Sequence, residues 1–198
     1  MAIYIGHFVL EIPSSHKDMM MRIPCKTMAM AAMALLVGFP LAAASASLAE
    51  YEAAKSLAQE HLKAFDDLDY NVFTNQKWVE LHRSHSEDVL VHWPDGHTTK
   101  GIKKHIEDLK AMFVWAPDTR IKEHTVKVAD KEWTAVIGVM EGTFTQPMPI
   151  GDGKFIAPTG KAYKINMATI GHWTDGKMNE EYLFWDNQEF MKEIGLGK

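Results

Sequence analysis

The stretch AYKINMATIGHWTDGKMNEEYLFW, residues 162–185, decides the fold. Two runs rich in aromatic and β-branched residues flank Asp175-Gly176, a dipeptide suited to a two-residue hairpin turn, in which both central positions need positive φ. The pattern predicts antiparallel strands over residues 162–174 and 177–185. Strict alternation then puts Met167, Thr169, Gly171 and Trp173 on one face of the first strand. Glu181, Leu183 and Trp185 share one face of the second.

Working outward, residues 120–128 and 133–145 are further strand-like runs around the turn Ala129-Asp130-Lys131-Glu132. Residues 88–93 form a β-branched run stopped by Pro94-Asp95-Gly96. Three helical patterns precede or interrupt the strands. Ser47 followed by Glu50 fits a capping box, and Ala54, Leu57, Ala58, His61, Leu62, Phe65 and Leu68 then recur at three- and four-residue spacing. Residues 74–81, with Trp78, read as a short second helix. Ile102, Ile106, Leu109 and Phe113 mark a third, which must end before Pro117. Residues 188–194 predict a last helical turn, and the Gly- and Pro-rich residues 147–158 a long loop. Helices first and an antiparallel meander afterwards is an α+β pattern, with a curved sheet wrapped around the helices and enclosing a pocket.

Composition narrows the function. The chain has 198 residues, one cysteine, 13 methionines, six tryptophans and a formal charge of −5. One cysteine excludes an intramolecular disulfide framework and any multi-cysteine metal site. The acidic balance argues against a nucleic-acid partner.

The first 46 residues read differently from the rest. MAMAAMALLVGFPL, residues 28–41, is an apolar run preceded by Arg22 and Lys26 and followed by small residues. That combination predicts a secretory signal peptide over residues 1–46, cleaved between Ala46 and Ser47, with the true start among Met19, Met20 and Met21. The run is shorter than the ~20 residues of a spanning helix, and Gly38 and Pro40 interrupt it, so no membrane anchor is expected after cleavage. Residues 47–198 would carry 18 Lys+Arg against 24 Asp+Glu and no cysteine. This suits a periplasmic or secreted protein, with no thiol to lose to oxidation.

The residues DVLVHWPDG (88–96), Gly101 before the third helix, EGTF (141–144), PTGK (158–161), DGKMNEEY (175–182), Asp186 and EIG (193–195) together resemble the SnoaL-like polyketide cyclases, also called ester cyclases, of the nuclear transport factor 2-like superfamily. The resemblance spans nearly all of residues 50–195. It implies a cone-shaped α+β fold, a homodimer, no cofactor and an apolar cavity. In polyketide-cyclising members, an aspartate directly after the aromatic of the last strand and a histidine on the preceding strand run an aldol ring closure. Counted from the Asp-Gly turn, those positions are Leu183 and Thr169, neither of which can do the family's acid/base step. They lie one residue off strict two-residue-turn pairing, which a single bulge repairs. The scaffold is therefore expected without the family's acid/base pair.

On that layout, Trp93, Trp115, Met167, Thr169, Trp173, Leu183 and Trp185 are the expected ligand-binding residues for a small hydrophobic molecule. Three polar residues are candidates for chemistry. Glu181 in apolar surroundings would be a general acid or base, unless it lies near the solvent-exposed start of its strand. Asp186 either acts in the pocket or caps residues 187–194. His92, at the cavity end of the first strand in the family's layout, is the histidine expected to touch a ligand. His82, His85, His92 and His97 lie close in sequence but without helical HExxH spacing, so no metal is expected. The expected activity is cofactor-free isomerisation, dehydration, cyclisation or hydrolysis, the rival being a non-catalytic periplasmic binding or interaction domain. Ile170, Tyr182 and Phe184, on the opposite face of the last two strands, are the expected dimer surface.

Overall fold

A computed structural model describes residues 47–197; the expected signal peptide lies outside them. Helix α1 (Leu48–Asp67) starts at the expected capping box: Ser47 Oγ accepts from the Glu50 backbone N–H at 3.2 Å, and the Ser47 N–H donates to Glu50 Oε2 at 2.6 Å. In place of the second α-helix expected over residues 74–81, α1 runs into a π-helical turn, Leu68–Phe73, and a 3₁₀ segment, Trp78–Arg83, follows. Gln76 at φ 53° breaks regular geometry between them, and the Asn75 side chain satisfies the carbonyls of Tyr70 and Asn71. Then come β1 (His85–His92), β2 (Thr98–Lys100), α2 (Ile102–Trp115), β3 (Arg120–Asp130) and β4 (Trp133–Thr143). The loop expected next carries a two-residue ladder, β5 (Met148–Pro149) with β6 (Phe155–Ile156). The chain closes with β7 (Ala162–Thr174), β8 (Lys177–Phe184) and α3 (Asn187–Glu193).

The main sheet has the order β2-β1-β8-β7-β4-β3, antiparallel except for the parallel β1–β8 pair. Asp175 and Gly176 take φ of 51° and 72°, as the hairpin demands. Trp173 faces Met178 whereas His172 faces Glu180, so Asn179 is an extra residue and the pairing slips by one. This bulge brings Thr169 opposite Leu183. Among the described residues no helix is long and apolar enough to cross a membrane.

Two apolar clusters fill the space between helices and sheet. Phe65, Leu68, Val89, Val91, Trp173 and Leu183 belong to one, Phe113, Trp115, Phe144, Tyr163 and Phe190 to the other. Two expected ligand residues are thereby corrected to core. Trp173 is fully buried near the hairpin end of the sheet, donating its indole N–H to Thr134 Oγ1 at 2.9 Å and stacking on His61. Trp115, the last residue of α2, packs edge-on against Phe144 and beside Tyr163 and Phe190.

Candidate functional site

Between the two clusters lies a cavity of about 50 Å³, room for roughly three to five waters. Its inner wall is formed by buried Leu68, Phe73, Ile121, Met140, Thr169 and Leu183, with the polar side chains Asp69, His85, His105 and Glu181. Partly exposed Trp93, Leu109, Met112, Met167 and Trp185 complete the lining. Two of these are methionines, whose unbranched side chains re-pack easily around a guest.

Glu181 is placed by the β7–β8 hairpin, facing Gly171 two residues before the Leu183 position on the same face of β8. The carboxyl that the family places at residue 183 is thus absent, but another stands one pleat repeat away. Its Oε2 lies 3.3 Å from His105 Nε2, on α2, and 3.7 Å from His85 Nε2, at the start of β1. Ser84 Oγ gives its proton to the Leu81 carbonyl and therefore accepts from His85 Nδ1 at 2.9 Å. This fixes the His85 tautomer: Nδ1 carries the proton and Nε2 turns a lone pair toward Glu181. His85 Nε2 and Glu181 Oε2 are both buried without a hydrogen-bond partner. Burial raises the Glu181 carboxyl, and the charge of His105, with the hydrogen bond and charge that a protonated His85 supplies, brings it below the ordinary carboxylate range. Yet burial drives His105 down to about 4, which leaves that ring neutral at pH 7.

A second cluster meets the same cavity. The π-helical turn carries Asp69 inward, where its Oδ2 accepts from His124 Nε2 at 2.8 Å. His124 Nδ1 donates to Asp66 Oδ1 at 2.8 Å, and Lys127 Nζ binds the same carboxylate. An imidazole donating from both nitrogens is an imidazolium. Burial works against that charge, but the Asp69 and Asp66 carboxylates override it and hold His124 above its ordinary value. Burial in turn raises Asp69, although His124 pulls it back. A Cβ at Gly138 would lie 3.2 Å from Ile121 Cγ2 and 3.6 Å from both Asp69 Oδ2 and His124 Cδ2, so glycine leaves room for this contact.

Of the expected residues, the structure brings Trp93, Met167, Thr169, Glu181, Leu183 and Trp185 to the cavity. His92 does not reach it. Val89 and Val91 take the inner face of β1, so alternation turns His92 outward, where it bonds Glu180 Oε1 at 2.8 Å and stacks on Tyr182. Asp186 is the N-cap of α3, accepting from the Gln188 and Glu189 N–H groups, and is absent from the cavity wall. Sequence reasoning missed four residues, one of them His85, which it named only within a histidine group where no metal was expected. His105 follows Ile102 by three and precedes Leu109 by four, a histidine in an apolar stripe, and Asp69 follows Phe65 by four. His124 left no such signal, because a register shift between Ile121 and His124 defeats simple alternation.

Residues 61–194 match the model of the SnoaL-like polyketide cyclases. The chain belongs to this family. Solved structures similar to this SnoaL-like protein include a "putative SnoaL-like polyketide cyclase" from Jannaschia sp. CCS1, at TM-score 0.62 and 14% identity, covering 72% of this chain and 96% of that one. IdmH, a "putative polyketide cyclase" from Streptomyces antibioticus, gives 0.58 and 18% over 68% and 98%. A third, from Xanthomonas campestris pv. campestris and described in the same words, gives 0.60 and 17% over 70% and 98%. At these identities the likeness establishes the nuclear transport factor 2-like fold. No curated protein matches the sequence.

Proposed function

We propose that this SnoaL-like protein takes a small, mainly apolar, carbonyl-bearing molecule into its cavity and moves protons on it, chemistry of the isomerase or cyclase class. One observation carries the reading: two buried carboxyls, Asp69 and Glu181, share one apolar cavity, each with its own histidine partner. Asp69, whose carboxyl burial raises above the ordinary aspartate value, is a stronger base than an exposed aspartate and takes the role of proton acceptor. It takes a proton from the carbon beside the carbonyl, leaving an enolate. Returning the proton to a different carbon is an isomerisation; attack of the enolate on a second carbonyl is a ring closure. In the second polar pole, formed with Glu181 and His85, a His105 N–H is the donor that orients the carbonyl. The partly exposed Trp93, Met112, Met167 and Trp185 move apart to admit the apolar body. Export after cleavage at Ser47, and a homodimer through the outer sheet face where Phe184 is 51% exposed, belong to the same reading.

Proton NMR in D2O tests it, with cyclohexanone as the probe. The wild type should speed loss of the α-protons above the buffer rate, and Asp69→Asn should remove about 10²-fold or more of that acceleration. A wild type no faster than buffer, or an Asp69→Asn variant as fast as wild type, would falsify the reading.

A further inference from the structure

We propose that His85, His105 and Glu181 together hold one divalent transition-metal ion, through Nε2 of each ring and a carboxylate oxygen. The inference goes beyond the proton-transfer reading and does not need it. A bound ion takes Glu181 as a ligand and leaves Asp69 as the proton-exchanging group.

Four observations support the site. The first is spacing: Glu181 Oε2 stands 3.3 Å from His105 Nε2 and 3.7 Å from His85 Nε2, and the three ligand atoms all lie within 4.8 Å of one another. A tetrahedral ion with metal–ligand bonds of about 2.0–2.1 Å spaces its ligand atoms by roughly 3.3–3.5 Å. The second is valence. Ser84 commits the His85 proton to Nδ1, so a lone pair on Nε2 faces the Glu181 carboxyl, and both atoms are buried and unpartnered. Two acceptors turned toward each other are stabilised by a proton or a metal ion between them, and the three-ligand spacing suits the metal ion. The third is outer support. A ligating histidine holds its other ring nitrogen in a hydrogen bond, and Ser84 does this for His85. His105 Nδ1 makes no such bond: it is buried without a partner, as is Asp108 Oδ2 one turn along α2, and Asp108 acts on the ring only through its charge. The fourth is access. All three ligands line the cavity, so three protein ligands leave a further coordination position facing the place a guest would occupy.

Two imidazoles and one carboxylate suit zinc, cobalt, nickel or ferrous iron, whereas calcium and magnesium prefer all-oxygen shells. The ligands come from β1, α2 and β8, elements that hold their side chains more rigidly than loops do. His82, His92 and His97 take no part, since each ring already bonds elsewhere on the surface, to Val79, Glu180 and Asp95.

The test uses the full protein, stripped with a chelator and titrated with Zn2+ by calorimetry, then with Co2+ by visible absorption. The expected result is one equivalent of zinc and the intense bands of a low-coordinate cobalt centre. Glu181→Gln and His105→Ala should weaken zinc binding about 100-fold or more, and Ser84→Ala about 10-fold. His92→Ala should leave binding unchanged. Glu181→Gln preserves shape, and circular dichroism checks its folding. If the ligand variants fail to fold, histidine N–H signals shifted by bound cobalt must come from two rings in the wild type. No zinc bound, zinc bound equally by folded Glu181→Gln and His105→Ala, or fewer than two shifted rings overturns the proposal. Proton exchange on cyclohexanone by protein that binds no zinc leaves the proton-transfer reading standing alone; stoichiometric zinc without exchange does the reverse.

Discussion

His124 sits between two carboxylates, and Glu181 sits between two imidazoles. Each cluster puts a buried carboxyl, Asp69 or Glu181, on the same cavity, and the two combine carboxylate and imidazole in inverse proportion. In the first, two negative charges hold one imidazolium through 2.8 Å bonds, and Lys127, 2.8 and 3.1 Å from the Asp66 oxygens, balances the surplus charge. In the second, one carboxylate faces two rings that make no hydrogen bond to a second acid, and its contacts stretch to 3.3 and 3.7 Å with polar atoms unpartnered. The lesson concerns stoichiometry: burial costs a charge its hydration, and whether a histidine stays charged depends on how many carboxylates offset that loss. A complete ion cluster stabilises the fold. An incomplete one is a place for something else to bind.

The largest expected effect comes from breaking the complete cluster. His124→Leu strands Asp69 and Asp66 beside a buried apolar side chain and should cost about 3–5 kcal/mol in urea unfolding. A loss below about 1 kcal/mol would show that the two carboxylates do not depend on the ring.

Acidity separates the clusters next. In metal-free protein His105 falls from 6.5 when unfolded to about 4 when folded. Between those values the unfolded chain binds a proton that the folded chain refuses, so stability falls on acidification by about 3 kcal/mol. His124 has the opposite sign. Its folded value is raised, so its contribution is complete below the unfolded value and is lost as pH rises through the folded one. Stability followed upward from about pH 4 should therefore be lower at both ends, the acid limb flattening in His105→Gln and the alkaline limb in His124→Leu. If either variant keeps the wild-type profile, the assignment of that limb is wrong.

The smallest effect is expected on the outer face. His92 is only partly buried against Glu180 and Tyr182, and His92→Ala should change stability by less than about 1 kcal/mol. A loss as large as that of His124→Leu would erase the distinction between the two faces of the sheet.

Much of the fold could be read in the chain because its causes are local. The Ser47/Glu50 capping box, the Asp175-Gly176 turn and the halt of α2 before Pro117 each depend on residues within a few positions of one another. Even the bulge at Asn179 left a trace, in the one-residue mismatch between Thr169 and Leu183. The outward turn of His92 was legible too, since Val89, Val91 and Trp93 alternate against it. The missing site residues had weaker traces. His105 and Asp69 interrupt apolar stripes, where a polar residue is notable, but nothing nearby in sequence says what it faces.

The sequence by itself determined the first and third helices, the long strands, the hairpin and part of the apolar lining, since periodicity and turn chemistry act between near neighbours. Tertiary structure alone decided the charges. His124 meets Asp66 and Asp69 because a register shift in β3 turns it inward and a π-helical turn brings Asp69 to it across more than fifty residues. His85, His105 and Glu181 converge because β1 pairs parallel with β8 while α2 packs over them. Hydration lost on burial is recovered only from whichever partner the fold delivers, and that partner comes from elsewhere in the chain.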